Sequence, residues 1–230
     1  FEVPGLKDKF YYVWFDAPVG YISSFKEYCD RNGKNYKEEW DKSEIYHCIG
    51  KDIVYHHSLF WPSMLKGSGF NTPKEILVHG MLKVNGTKMS KSRGTFVQAA
   101  TYIKHLQADY LRYYLACKMT SGIEDLDLNW DDFCARVNSD LIGKITNVAS
   151  RGAQMLAKLD SKMTELDEEG RALVEMAQSK AETIAELYEQ RNFSKAMLEI
   201  RTIADEANKY FDKYEPWKLV KVDEEKTKVV

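Results

Sequence analysis

From Trp130 onward the chain carries no run of β-branched or aromatic residues long enough to make a strand. Its apolar residues recur instead at helical spacing. Phe133, Val137, Leu141, Ile145 and Val148 follow one another every four residues or fewer, which draws one apolar stripe along a long helix. Similar periodicity fills residues 171–188 and 193–211. The last hundred residues are therefore expected to pack as an antiparallel helix bundle. The first part of the chain reads differently. Phe10–Phe15, Ile45–Ile49 and Ile76–His79 are rich in β-branched and aromatic residues and read as strands. Between them, Tyr21–Cys29 reads as a helix, and Asp52 is placed to cap a second one running to Lys66, with Gly67 past its end and Pro62 bending it. Strands alternating with helices imply a parallel sheet, whose ligands lie beyond the C-terminal strand ends. Those ends are Asp16, Gly50 and His79-Gly80. The fold class expected is α/β followed by all-α. The expected boundaries are 1–98, a linking element at 99–128, and a helical domain at 129–230. The helix from Asp109 to Met119 and the acidic run Glu124–Asp132 fall in or beside the linker, with Asn129 or Asp131 opening the next helix.

Composition mostly excludes. The formal net charge of −2 rules out a globally basic nucleic-acid binder, so any RNA contact must use local patches. Cys29, Cys48, Cys117 and Cys134 have no Cys-x-x-Cys spacing, which suits a reducing compartment and argues against a disulfide framework or a zinc knuckle. No apolar run approaches membrane-spanning length and no signal peptide opens the chain, so a cytoplasmic location is expected. Phe1 is not an initiator, and both ends read as the middle of something; an internal fragment of a longer protein is expected.

Asn85-Gly86 is a two-residue hairpin signal, because a type I′ turn needs positive φ at both central positions. Lys88, Lys91 and Arg93 follow within six residues, interleaved with Met89, Ser90 and Ser92 and closed by Gly94. No Asp or Glu occurs from Ile76 to Ala108. Such a loop suits a polyanion such as a triphosphate, its ammonium groups neutralising charge while hydroxyls and backbone N–H groups complete the shell. On the residues alone a solvated basic turn remains an alternative.

Lys88-Met-Ser-Lys-Ser92 resembles the second signature motif of class I aminoacyl-tRNA synthetases. With Tyr12–Tyr21, Gly50–Pro62, and His79-Gly80 continuing through Val84–Gly94, the chain is similar to the methionyl-tRNA synthetase family. The likeness extends more weakly to Glu215-Pro-Trp217. It implies the C-terminal half of a Rossmann-like nucleotide-binding domain, then an anticodon-binding type of bundle. The implied activity is methionine–tRNA ligation: activation of methionine by ATP with Mg2+, then transfer to the 3′ end of tRNA. The first class I signature, His-x-Gly-His, is absent, as is a zinc-binding insertion; in such enzymes both lie N-terminal to the segment that begins here at Phe1.

The resemblance assigns roles residue by residue. Lys91 becomes the catalytic cation on the departing pyrophosphate, with Lys88 assisting. Asp52 takes the ribose hydroxyls, Gly50 lets the backbone approach the nucleotide, and His79 stands near the adenine. By pattern alone, Asp52 is equally a helix cap and His79 a polar strand end. Trp14, Ala17, Pro18, Tyr21, Ile53, His57 and Trp61 surround the methionine side chain, a thioether that aromatic rings and a polar ring edge hold well; without the resemblance, the same aromatics read as core. His57 and Trp61 are four apart and share a helix face. His56 departs from the aromatic expected at that position. Adjacent His56 and His57 point different ways, so no metal site is expected there. Asn147, Arg151 and Trp217 resemble anticodon-reading residues, although Arg151 also reads as a surface cation and Trp217 as a hydrophobic clasp. Rival functions are a non-catalytic RNA-binding module and a class I synthetase for an aliphatic amino acid. Trp14, Tyr21 and His57 argue against the latter, since Leu, Ile or Val gain nothing from a polar ring edge.

Overall fold

The computed structural model describes residues 2–90, 92, 94–162 and 164–229. They divide into two compact units, residues 1–81 with 122–124, and residues 82–121 with 125–230.

In the first unit, β1 (Tyr46–Gly50) and β2 (Glu75–His79) pair in parallel, with His47 opposite Ile76 and Gly50 opposite His79. The expected strand at Phe10–Phe15 is absent. Phe10 makes a single bridge to Glu2, and Val13–Asp16 winds instead into one helical turn, α1. An extended run becomes a strand only where an edge can accept its ladder. Here the backbone hydrogen bonds turn inward, Ala17 N–H to Val13 O, and α2 (Val19–Arg31) follows directly. Asp16 is consequently the end of a helical turn rather than of a strand. Next come α3 (Tyr36–Lys42), capped by the Asn35 side chain, and α4 (Trp61–Gly67). Trp40, Trp61 and Leu65 are the unit's buried centre, packed by Phe25, Ile22, Met64 and Phe70.

The segment entering α4 departs from a simple capped helix. It begins with a 3-10 turn at Lys51–Ile53 whose N-cap is Gly50, so Asp52 lies inside the turn and does not cap it. His56–Phe60 then widens into a π turn. Pro62 accounts for this: it has no N–H for the Ser58 carbonyl, and its ring would collide with that carbonyl in a regular α turn. The Trp61 N–H reaches back five residues to His56 O instead of four. The expected bend is realised as a widening.

The second unit opens on a hairpin, β3 (Leu82–Val84) and β4 (Thr87–Lys88), around Asn85 at φ 46° and Gly86 at φ 74°. Both angles are positive, as a type I′ turn requires. Two short helices follow, α5 (Ala99–Tyr102) and α6 (Ala108–Lys118). The acidic run then supplies a strand that the sequence reading leaves as a junction: β5 (Leu126–Leu128) lies parallel to β3. Its apolar Leu126 and Leu128 alternate around Asp127, a pattern too short to stand out among acids. Asn129 caps α7 (Trp130–Arg136) through its side chain. Leu128, Phe133, Val137, Tyr102 and Tyr114 form one core.

The helical run continues through a π segment, Val137–Thr146, into α8 (Asn147–Lys158). The long apolar stripe is therefore carried by three successive windings rather than one. Gly143 sits in the widened part, where a Cβ would come to 3.0 Å from the Asn138 carbonyl. Then come α9 (Glu168–Ser179), α10 (Ala181–Glu189), α11 (Phe193–Tyr214), α12 (Pro216–Leu219) and α13 (Glu224–Thr227). The helix expected at 171–188 is split at Lys180, whose N–H bonds three residues back to Ala177 and whose ammonium pairs with Glu199 of α11 at 2.8 Å. Lys144–Asp205 and Arg201–Asp140 tie the π segment to α11 in the same way. Among the described residues, no helix is long and apolar enough to cross a membrane.

Candidate functional site

In the first unit, a cluster of rings gathers around the segment between β1 and α4. Trp61 and His57 are almost wholly buried, and His47 of β1 nearly so. The Tyr21 ring, from α2, lies 4.9 Å from His47, 5.8 Å from His57 and 6.1 Å from Trp61. Trp14, from α1, meets His57 edge-on at 6.3 Å and stacks on His56 at 5.1 Å, 11° from parallel. Of the residues expected to surround an amino-acid side chain, Trp14, Tyr21, His57 and Trp61 are thus brought together. Ile53 joins them through its carbonyl, Pro18 is buried, and Ala17 is exposed. His56 takes its place on the Trp14 face, with its Nδ1 buried and without a partner.

Hydrogen bonds fix two imidazoles in this cluster. His57 Nδ1 lies 3.0 Å from the Ile53 carbonyl, which can only accept, so Nδ1 carries a proton. In the neutral ring Nε2 is then left to accept from the Tyr21 hydroxyl at 2.9 Å. The result is an aromatic wall with a hydroxyl–imidazole pair set in it. His47 is fixed in the same tautomer, from its Nε2 side: the Trp61 indole can only donate, and it donates to His47 Nε2 at 3.1 Å. No signal for His47 exists in the sequence beyond its place in a strand. Its importance depends on the ring across from it.

His47 also makes the unit's stability sensitive to pH. Burial, and secondarily the neighbouring His57, holds its imidazole below the ordinary value of 6.5. Protonating Nε2 would also break the bond from Trp61. Between 6.5 and the lower folded value the unfolded chain binds the extra proton, so stability is fully present above 6.5 and falls as pH drops through that window. The expected slope is at most about 1.4 kcal/mol per pH unit. Denaturant titrations at pH 7.5, 6.5 and 5.5 measure it. His47→Gln, which keeps an acceptor near the Trp61 N–H but does not titrate, is expected to flatten the profile; an unchanged slope in that variant would remove His47 as the cause.

At the C-terminal strand ends, Gly50 and His79 are register partners. Asp52 folds back over Gly50, its Oδ1 standing 2.8 Å from where a Cβ on residue 50 would lie. His79 is exposed, with Nδ1 2.8 Å from Gly80 O. Gly50, Asp52 and His79 therefore share one corner, and the carboxylate there is solvent-facing rather than engaged as a cap.

The cationic loop belongs to the second unit. Lys91 and Arg93 lie outside the described residues. Lys88 is exposed on β4. Thr95 clasps the loop shut: its hydroxyl accepts from Ser90 N–H at 3.0 Å and donates to Lys88 O at 3.2 Å, while its own N–H reaches Ser90 O. The Ser90 and Ser92 hydroxyls meet at 3.0 Å. Sequence reading misses Thr95, since a threonine after glycine carries no pattern of its own. It also misses the acids that brace the hairpin from a distance: Asp127 accepts the Gly86 N–H at 2.8 Å, and Asp125 pairs with Lys83 at 3.0 Å.

In the bundle, the Arg151 guanidinium lies 4.5 Å over Phe211 and 5.1 Å over Trp217, and is held by Asp212 at 2.6 Å. Arg151, Phe211 and Trp217, with Gln154 and Met155, line an open pocket of about 230 Å³. Arg151 and Trp217 are brought together as expected, with Phe211 as an additional ring. Asn147, one turn earlier on α8, is half-buried and does not line this pocket.

Residues 1–153 match the family described as tRNA synthetases class I (M), and residues 161–230 match the anticodon binding domain of methionyl tRNA ligase. A methionine–tRNA ligase from Bdellovibrio bacteriovorus is 53% identical over 234 residues, covering all of this chain and 34% of its own length. The structure of Mycobacterium tuberculosis methionyl-tRNA synthetase bound by methionyl-adenylate superposes with a TM-score of 0.82 at 28% identity, covering 99% of this chain and 46% of that one. The same enzyme's free state gives 0.78 at 26%, covering 99% and 44%. The chain thus spans about a third of the curated relative and less than half of the solved chains.

Proposed function

The chain belongs to the methionyl family of class I tRNA synthetases, and from that we propose that it serves as part of a methionine–tRNA ligase. The observation that carries the reading is the wall of Trp14, Tyr21, His57 and Trp61 standing beside the strand ends Gly50 and His79. Residues 1–98 act as the second half of a nucleotide-binding domain, 99–128 as a linking element, and 129–230 as an anticodon-binding bundle.

In this reading the methionine carboxylate attacks the α-phosphorus of ATP and pyrophosphate leaves. The thioether rests among the rings, where sulfur–aromatic contacts contribute about 0.3–1.5 kcal/mol each, and the Tyr21–His57 pair offers the sulfur a polar edge. Asp52 accepts from the ribose hydroxyls, Gly50 gives the nucleotide access to the backbone, and His79 stands toward the base. Lys91, aided by Lys88, neutralises the charge that accumulates on the leaving pyrophosphate. With no acid from Ile76 to Ala108, Mg2+ is supplied with the triphosphate rather than by a protein cage of this segment. Arg151 and Trp217, with Asn147 nearby, take unstacked anticodon bases by stacking and edge hydrogen bonds. The cytoplasm is the expected compartment.

The test is amino-acid-dependent ATP–pyrophosphate exchange by the polypeptide expressed from its complete reading frame. Methionine is expected to support exchange, and leucine and isoleucine are not; equal rates with all three would overturn the reading. The 230-residue chain alone is expected to be inactive, since relatives devote more than twice its length to the task.

A further inference from the structure

Arg136 at the end of α7, and Lys195 and Arg201 on α11, open onto one pocket of about 260 Å³, together with Ser194, Cys117, Met197 and Leu198. Three cations line it and no carboxylate does. The two guanidinium groups are aimed by acids set behind them: Asp132 takes Arg136 Nε at 3.0 Å and the buried Asp140 takes Arg201 Nη1 at 3.0 Å. Each arginine keeps further N–H donors uncommitted by those bonds. Lys195 is exposed and has no ion-pair partner among the described residues. Ser194 and Lys195 stand in the first turn of a 22-residue helix, where the Ser194 N–H is already given to Met119 O and its hydroxyl to Asn192 Oδ1, so the positive field of the pocket comes from the three side chains. Burial pushes the Cys117 thiol up, so it contributes no competing negative charge. The buried Tyr113 hydroxyl near it also lacks an oxygen or nitrogen partner.

We propose that Arg136, Lys195 and Arg201 form a phosphate site that takes a backbone phosphodiester of the tRNA. The inference rests on the tRNA-ligase reading above and names a contact outside both the anticodon pocket and the nucleotide loop. No aromatic ring lines the pocket, so it offers a base no ring to stack on. It positions the strand without reading sequence. Its open mouth suits a phosphate that arrives on a chain and must leave with it. On a protein of net charge −2, a local cluster of this kind is what a polyanion can find.

The experiment uses the full-length enzyme and compares Lys195→Glu and Arg201→Lys with the wild type. Neither residue is assigned to the chemistry of activation. Lys195→Glu is expected to weaken tRNA binding about tenfold near 0.1 M salt and to reduce the slope of log affinity against log salt by about 1. The loss is expected to be equal for tRNA with an altered anticodon, while methionine-dependent exchange without tRNA stays unchanged. Arg201→Lys, which keeps a cation for Asp140, is expected to show a smaller loss of the same kind. Unchanged affinity and salt slope in Lys195→Glu, with the wild type charging tRNA normally, would overturn this site and leave the ligase reading standing. A wild type that binds no tRNA would overturn both. Titration with inorganic phosphate separates the other source: if Lys195→Glu abolishes phosphate binding but not tRNA affinity, the pocket holds a free anion and the RNA assignment fails.

Discussion

Replacing Trp61 with alanine is expected to destabilise the first unit by about 3–5 kcal/mol, the cost of emptying a buried aromatic site. Trp61 is 1% exposed, lies in the cluster with Trp40 and Leu65, and donates the hydrogen bond that fixes His47. Loss of the indole opens a cavity and strands an imidazole nitrogen that is nearly out of reach of water. Trp61→Phe separates the two effects. It refills most of the volume but supplies no N–H, and is expected to cost about 1–3 kcal/mol, the penalty of an unmet buried acceptor. Equilibrium unfolding in denaturant, followed by far-ultraviolet circular dichroism, measures both. A cost below about 1 kcal/mol for the alanine variant would mean that the unit does not depend on this ring.

Removing the ammonium of Lys91 is expected to slow methionine activation by about 10²–10³-fold, the usual effect of deleting one preorganised donor that meets developing charge. The described residues on either side of that position are tied together. Thr95 closes the loop onto Lys88 O and Ser90 N–H, and the hairpin below is locked by Asn85 and Gly86. Lys91→Ala in the full-length enzyme is expected to lower kcat for ATP–pyrophosphate exchange while leaving KM for methionine within about threefold, since the site proposed for the thioether uses other residues. Lys91→Arg keeps the charge but swaps a compact ammonium for a wide planar fork, and is expected to recover only part of the rate. A Lys91→Ala enzyme with wild-type kcat would place the catalytic cation at another residue.

The division of the chain into an α/β part and a helical part is legible in the sequence, because periodicity changes where the architecture changes. Asn85-Gly86 is legible for a sharper reason: two adjacent residues with positive φ leave few other amino acids. What escapes sequence reading depends on partners far along the chain. Phe10–Phe15 has strand composition, yet composition cannot report whether an edge is there to receive it. Asp52 looks like a cap because Gly50, the actual cap position, has no side chain to advertise it. The strand Leu126–Leu128 hides among acids because three residues are too few to show alternation. In the candidate site, the large rings are visible as residue types. The pairings that fix them, Trp61 with His47 and Tyr21 with His57, span 14 and 36 residues and follow only from the folded chain.

The Asn85 side chain accepts the backbone N–H of Trp130, the first residue of α7, and the Asn85 N–H is given to Leu128. The turn that carries the lysines and the start of the long helical run are therefore riveted to each other, with β5 as the plate between them. A shift at the first residue of α7 is therefore expected to be felt at the hairpin tip, through these two hydrogen bonds and the β3–β5 pairing.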